Sequence, residues 1–264
     1  MTAEAKAPQK RKRKWSEYMG ALGRAHRKAS VEMESSAPLL VHLNELRSRV
    51  FKAFIALIIT TGICFAFSEP LIEYLAGPVG GIEELVSIEL TENIAIFMRV
   101  SLLGGFVLAM PVIVYQIMAF VLPGLKQNER IWLLIMVPFA ALLFAAGVAF
   151  TWFVMLPSAI PFLTNFMGIT TQVRPENYFD FITRLMFWIG LCFELPLVIM
   201  FLAKLKFVTA GQLISWWRYA IVVMAIMAAA VTPTVDPVNM GLVMAPLLGL
   251  YIVSVILAAI VGRG

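Results

Sequence analysis

Apolar residues in this chain fall in long, sparsely charged runs, not in the two-residue alternation of a half-buried strand. The runs are Val50–Phe67, Ile94–Val121, Ile131–Leu156, Phe179–Leu205, Ala220–Val231 and Met240–Val261. Short polar segments part them. Ser68 to Glu92 reads as a loop with Pro70, Pro78 and the Gly80-Gly81 pair. Pro157 to Tyr178 reads as a second loop, whose apolar piece Ala159–Phe166 is too short to span and is expected at the interface or as a cap on the bundle. Pro111 predicts a kink in the second helix. The last two spans read as short. Between Trp216-Trp217-Tyr219 and Thr232-Pro233, the fifth has a charge-free part of only 12 residues, a rise of about 18 Å against a hydrocarbon core of about 30 Å. The pattern predicts an all-α polytopic membrane protein with six transmembrane helices.

Composition agrees. The chain is 61% hydrophobic and 14% charged over 264 residues, where soluble domains run near 25% charged. The net charge is +5, yet 12 of the 21 Lys and Arg lie within residues 1–52. Residues 1–37, with Lys10-Arg11-Lys12-Arg13-Lys14, are expected to be a disordered basic arm, with adhesion to anionic lipid as the functional alternative. A nucleic-acid role would fall to that arm alone and is not expected. Ser35, Ser36 and Pro38 read as a helix start, so residues 38–264 form the membrane domain. The 68–92 segment holds six Glu and no Lys or Arg, which puts it outside. Six spans then put 18 basic residues inside and three outside (Arg99, Arg174 and Arg184), with both termini cytoplasmic. Cys64 and Cys192 sit in apolar runs as small core residues. The first run is too long for the core of a cleavable signal peptide.

Three carboxylates stand out. His42-Leu43-Asn44-Glu45-Leu46-Arg47-Ser48-Arg49 enters the first run, with Leu43, Leu46 and Val50 on one stripe and Glu45 one turn before Arg49. These are either ordinary interfacial charges or part of a binding site, since orientation needs Lys and Arg and does not call for Glu. Glu129 precedes the third run, where it either favours a helix N-terminus or joins Glu45 on the inner face. Paired carboxylates there suit a peptide with guanidinium groups, which bind carboxylates bidentately. Glu194 lies near the middle of the fourth run, followed by Pro196. It is either a structural hydrogen-bonding group within the bundle or a group facing a polar recess. No enzyme is expected: the two histidines, His26 and His42, make no metal or nucleophile constellation, and no phosphate-binding loop is present. No cofactor is expected either. A proton- or ion-coupled solute transporter using Glu194 is the alternative.

The octapeptide resembles the opening signature of the TatC family of twin-arginine translocases. Further matches are Pro111-Val112-Ile113-Val114-Tyr115-Gln116 with Phe120, Asn128-Glu129-Arg130, Phe193-Glu194-Leu195-Pro196, Thr232-Pro233-Thr234 with Asp236, and Pro78. The resemblance implies a multi-pass receptor in a bacterial inner membrane that binds twin-arginine signal peptides of folded cargo and transports it on the proton-motive force. It implies a concave bundle, working with small single-span TatA/TatB-type subunits in a larger complex that contains several copies of this chain. By the same resemblance, Glu45 and Glu129 form the signal-peptide site with Phe120, Arg47 and Arg49 beside them. Glu194 contacts partner subunits, and Pro78 and Asp236 serve the outer loops. Asn128 departs from a frequent His, Asn93 from a frequent Pro, and Asn239-Met240 from a common Ser/Thr-Gln.

Overall fold

A computed structural model describes residues 42–121, 127–164, 173–232 and 237–262. The arm 1–37 and Asp236 lie outside the described residues, as does the side chain of Glu129. All regular elements among the described residues are helical: α1 (His42–Ala66), α2 (Ser68–Ala76), α3 (Glu92–Val121), α4 (Gln127–Phe150), α5 (Leu156–Thr164), α6 (Pro175–Phe193), α7 (Leu195–Lys204), α8 (Ala210–Ser215), α9 (Trp217–Val231) and α10 (Pro237–Val261). Five stretches are long and apolar enough to cross a membrane: His42–Ala66, Glu92–Phe120, Met136–Thr164, Pro175–Lys204 and Met240–Val261. The remaining expected span, the fifth, is α9, which has 15 residues and rises about 22 Å, short of the hydrocarbon core. The expectation of a short last span fails, because α10 has 25 residues, about 37 Å.

Two segments read as loops are helices. The 68–92 segment opens with α2, which buries Ser68, Ile72, Leu75 and Ala76 at helical spacing beneath exposed Glu69 and Glu73. Its glutamates and Pro70 hid that stripe. Downstream, the helix begun by α4 does not stop at Pro157. A π-turn at Thr151–Met155 carries it into α5, and Thr151 Oγ1 donates to the Gly147 carbonyl at 2.9 Å. Pro157 follows directly on that π-turn, inside the continuing helix. The apolar Ala159–Phe166 piece is therefore, as far as Thr164, the end of a span.

Contacts divide the chain into residues 1–51 and 52–264. In the second unit, α3 packs on α4 and α6, and α4 on α6, while α7 and α9 both pack on α10. One core gathers Ile96, Val100, Leu156, Phe179, Ile182 and Leu247; another gathers Met110, Met136, Phe144, Leu197 and Met200. Residues 52–66 of α1 touch α3 closely. Thr60 Oγ1 donates to the Gly105 carbonyl at 2.7 Å, and a Cβ on Gly105 would fall 2.6 Å from the Thr61 Cα. Only glycine permits that approach, the small-residue packing used where lipid supplies no hydrophobic drive.

Candidate functional site

On the first unit, Glu45 and Arg49 sit one turn apart and form the expected ion pair. Arg49 Nη2 donates to Glu45 Oε1 at 2.6 Å and Nε donates to the same oxygen at 3.0 Å. His42 Nδ1 lies 3.9 Å from Glu45 Oε2. Both members of the ion pair are partly solvated, so the contact is worth at most about 0.3–0.5 kcal/mol. It is weak enough for a second guanidinium to displace Arg49. Arg47 is exposed on a different side, as its spacing dictates.

On the second unit, Phe120 lies half-buried in the last turn of α3, and Glu129 is the third residue of α4. They stand at consecutive helix ends, separated by residues 122–126 outside the described set. Pro78 sits in a tight turn, Gly77–Val79, half-buried against a cavity of about 430 Å³ that also meets Glu84, Ile160 and Pro161.

Glu194 occupies a break between α6 and α7. Pro196 has no N–H to continue the ladder, so the chain makes a tighter turn at Glu194 (φ −75°, ψ −11°), whose N–H donates to the Leu191 carbonyl at 3.1 Å. The residue is 8% exposed, and its Oε1 is buried with no hydrogen-bond partner among the described residues. Beside it α4 and α6 nearly touch: a Cβ on Gly190 would lie 2.7 Å from the Phe144 ring, and one on Gly147 2.8 Å from the Gly190 Cα.

Sequence reasoning missed the network at the opposite end of α3. Glu92 is 1% exposed, yet both its oxygens are satisfied. Oε1 takes the Arg174 guanidinium, which donates through Nη2 and, at 3.2 Å, through Nε. Oε2 accepts from Ser87 Oγ at 3.0 Å and from the Ile88 N–H at 3.4 Å. Arg174 also reaches Glu89 at 3.3 Å, and these hydrogen bonds, the one to Glu92 foremost, push the guanidinium pKa further up. The other two arginines on this side are paired as well. Arg99 lies 3.4 Å from Glu176 and 3.6 Å from Asp180, and Arg184 lies 2.8 Å from Asp180. The signal was available: the three arginines that break the positive-inside count are those that most need carboxylate partners.

Comparisons with known proteins agree with this picture. Residues 41–246 match the family described as Sec-independent protein translocase protein (TatC). The chain is 37% identical over 241 residues to the chloroplastic Sec-independent protein translocase protein TATC of Arabidopsis thaliana, spanning 90% of this chain and 71% of that protein. It is 36% identical over 235 residues to the TatC protein of Deinococcus radiodurans, covering 86% of this chain and 87% of the relative. Two solved structures described as the twin arginine translocase receptor TatC superpose with TM-scores of 0.69 and 0.73, each at 33% identity over 82% of this chain and covering 97% and 99% of theirs.

Proposed function

The chain belongs to the TatC family of Sec-independent protein translocase proteins, and from that premise we propose that it is the receptor that reads twin-arginine signal peptides at the inner face of the membrane. It is a multi-pass membrane protein of a translocase, and its part in transport is recognition, not bond chemistry. The solute-transporter alternative is not favoured, since the match covers almost the whole membrane domain.

The observation that carries the reading is Glu45 held by its neighbour Arg49. The carboxylate is aimed by a guanidinium that an incoming arginine can replace like for like, and it stays partly solvated. Glu129, in the first turn of α4, supplies the second carboxylate, and Phe120 an apolar surface. Arg47 and Arg49 shape the site, Arg49 by pairing with Glu45. The 18-to-3 distribution of basic residues supports a cytoplasmic N-terminus, C-terminus and signal site, and the bacterial relative supports an inner-membrane location. Glu194 meets the span of a small single-span subunit, and its unpartnered oxygen supports that assignment. Pro78 and Asp236 act in the outer loops. The complex holds several copies, and transport draws on the proton-motive force.

The test is photocrosslinking of a twin-arginine peptide to Glu45→Gln/Glu129→Gln. Crosslinks are expected to vanish while the protein stays inserted and folded, and a twin-lysine peptide is expected to crosslink poorly to the unaltered protein. Undiminished crosslinking to the double variant would overturn the assignment.

A further inference from the structure

Away from these carboxylates, an apolar groove of about 490 Å³ opens between the end of α1, α2, α3 and α4. Its floor is core: Cys64, Val100, Leu103 and Met186 are all buried. Its rim is exposed, with Leu108 on one side and Phe153 on the other. Ala145 and Ala149, one turn apart on α4 and both exposed, leave the wall between them open. Two features make this more than an incidental crevice. The π-turn at Thr151–Met155 adds a residue to the helix and places Trp152 and Phe153 on the groove, and such turns recur at functional sites. The ring of Trp152 stacks on that of Tyr74 from α2, centroids 4.7 Å apart and planes at 27°, closing one end.

We propose that this groove binds one acyl chain of a membrane phospholipid, with the glycerol and phosphate region at the Tyr74–Trp152 end. The other lining residues of α3 and α4 belong to stretches long and apolar enough to span, so hydrocarbon chains are what the groove meets. Tyr74 stands outside those stretches, on α2. A tyrosine hydroxyl and an indole N–H at that end are the donors that interfacial aromatic residues offer to ester and phosphate oxygens. Size selects the occupant. A helix about 10–12 Å across would use roughly 400–600 Å³ per turn, so the groove would take a single turn of a protein span. A flexible polymethylene chain fits lengthwise, along the two turns of α3 from Val100 to Leu108. Left empty, the lining would forfeit dispersion contacts on its whole length.

The full chain is reconstituted in nanodiscs containing a phospholipid with a diazirine in its acyl chain, photolysed, and mapped by tandem mass spectrometry. Adducts are expected on Leu108, Ala145, Ala149 and Phe153 at several times the yield found at Ile252 and Ile256, which are equally exposed on α10. Ala145→Leu/Ala149→Leu fills the groove from open positions and is expected to abolish the excess while the α10 adducts persist. Equal yields at the two places in the unaltered protein would mean only bulk lipid and would overturn the proposal, whether or not the variant folds. A disulfide joining two chains that carry Ala149→Cys, with Cys64 and Cys192 replaced, would show a second copy in the groove and overturn it as well.

Discussion

Two carboxylates among the described residues are removed from water, and they are treated in opposite ways. Glu92, at the start of α3, is nearly inaccessible and meets Arg174, Ser87 and the Ile88 N–H. Glu194, at the α6–α7 break, is almost as deeply placed and leaves Oε1 without a partner among the described residues. A chain that satisfies one buried carboxylate so fully does not lack the means to satisfy the other. A buried polar atom left unpaired costs stability. Glu92 therefore reads as a fastener tying the segment before α3 to the segment before α6, and Glu194 as a group held for something outside the chain.

Substitutions at the two positions separate these roles. The largest effect is expected for Glu194→Ala, which should lower transport at least about tenfold, or about 1.4 kcal/mol, while signal-peptide crosslinking and the unfolding temperature in detergent hold or the latter rises. An equal loss of stability would erase the contrast. Next, Glu92→Gln should lower the unfolding temperature and loosen residues 82–91 in hydrogen exchange, because Arg174 loses its main partner while Glu89 remains as a solvated substitute. Unchanged exchange would show that the pair fastens nothing. Third, Gly190→Ala drives a methyl into the Phe144 ring and should destabilise by about 1–3 kcal/mol, measured by chemical denaturation in detergent. The smallest effect is Ser87→Ala, which removes one donor from Glu92 while Arg174 and Ile88 stay. It should cost about 0.5–1.5 kcal/mol, and a loss as great as that of Glu92→Gln would move the weight of the fastener from Arg174 to Ser87.

Much of this was legible in the amino-acid order. Long, sparsely charged runs located the five spanning stretches and α9, and the four-residue spacing of Glu45 and Arg49 foretold their pair. The break at Glu194 follows from Pro196, because a missing N–H acts locally whatever packs around it. What escaped was set by contacts distant along the chain. Ser68 to Ala76 looks like a loop until its buried stripe meets α3, and the Pro157 boundary dissolves because the π-turn upstream carries the helix on through the proline. The fastener joins Glu92 to Arg174, 82 residues apart, and no local pattern pairs them. The signal-peptide residues came from spacing and from likeness to a family, and the sequence could not say how deeply Glu194 is buried.

The central claim is that Glu194 is held for a partner. Val198 lies one turn beyond it, its N–H donating to the Glu194 carbonyl at 3.0 Å, with 47% of its surface exposed. A photoreactive residue at Val198 in the assembled translocase reports on that face directly. The account predicts crosslinks to the span of a small single-span subunit, lost when Glu194 is also replaced by Ala although the protein remains folded, and retained with Gln, which still offers hydrogen bonds. Crosslinks of unchanged yield per folded molecule in the Ala variant would contradict it.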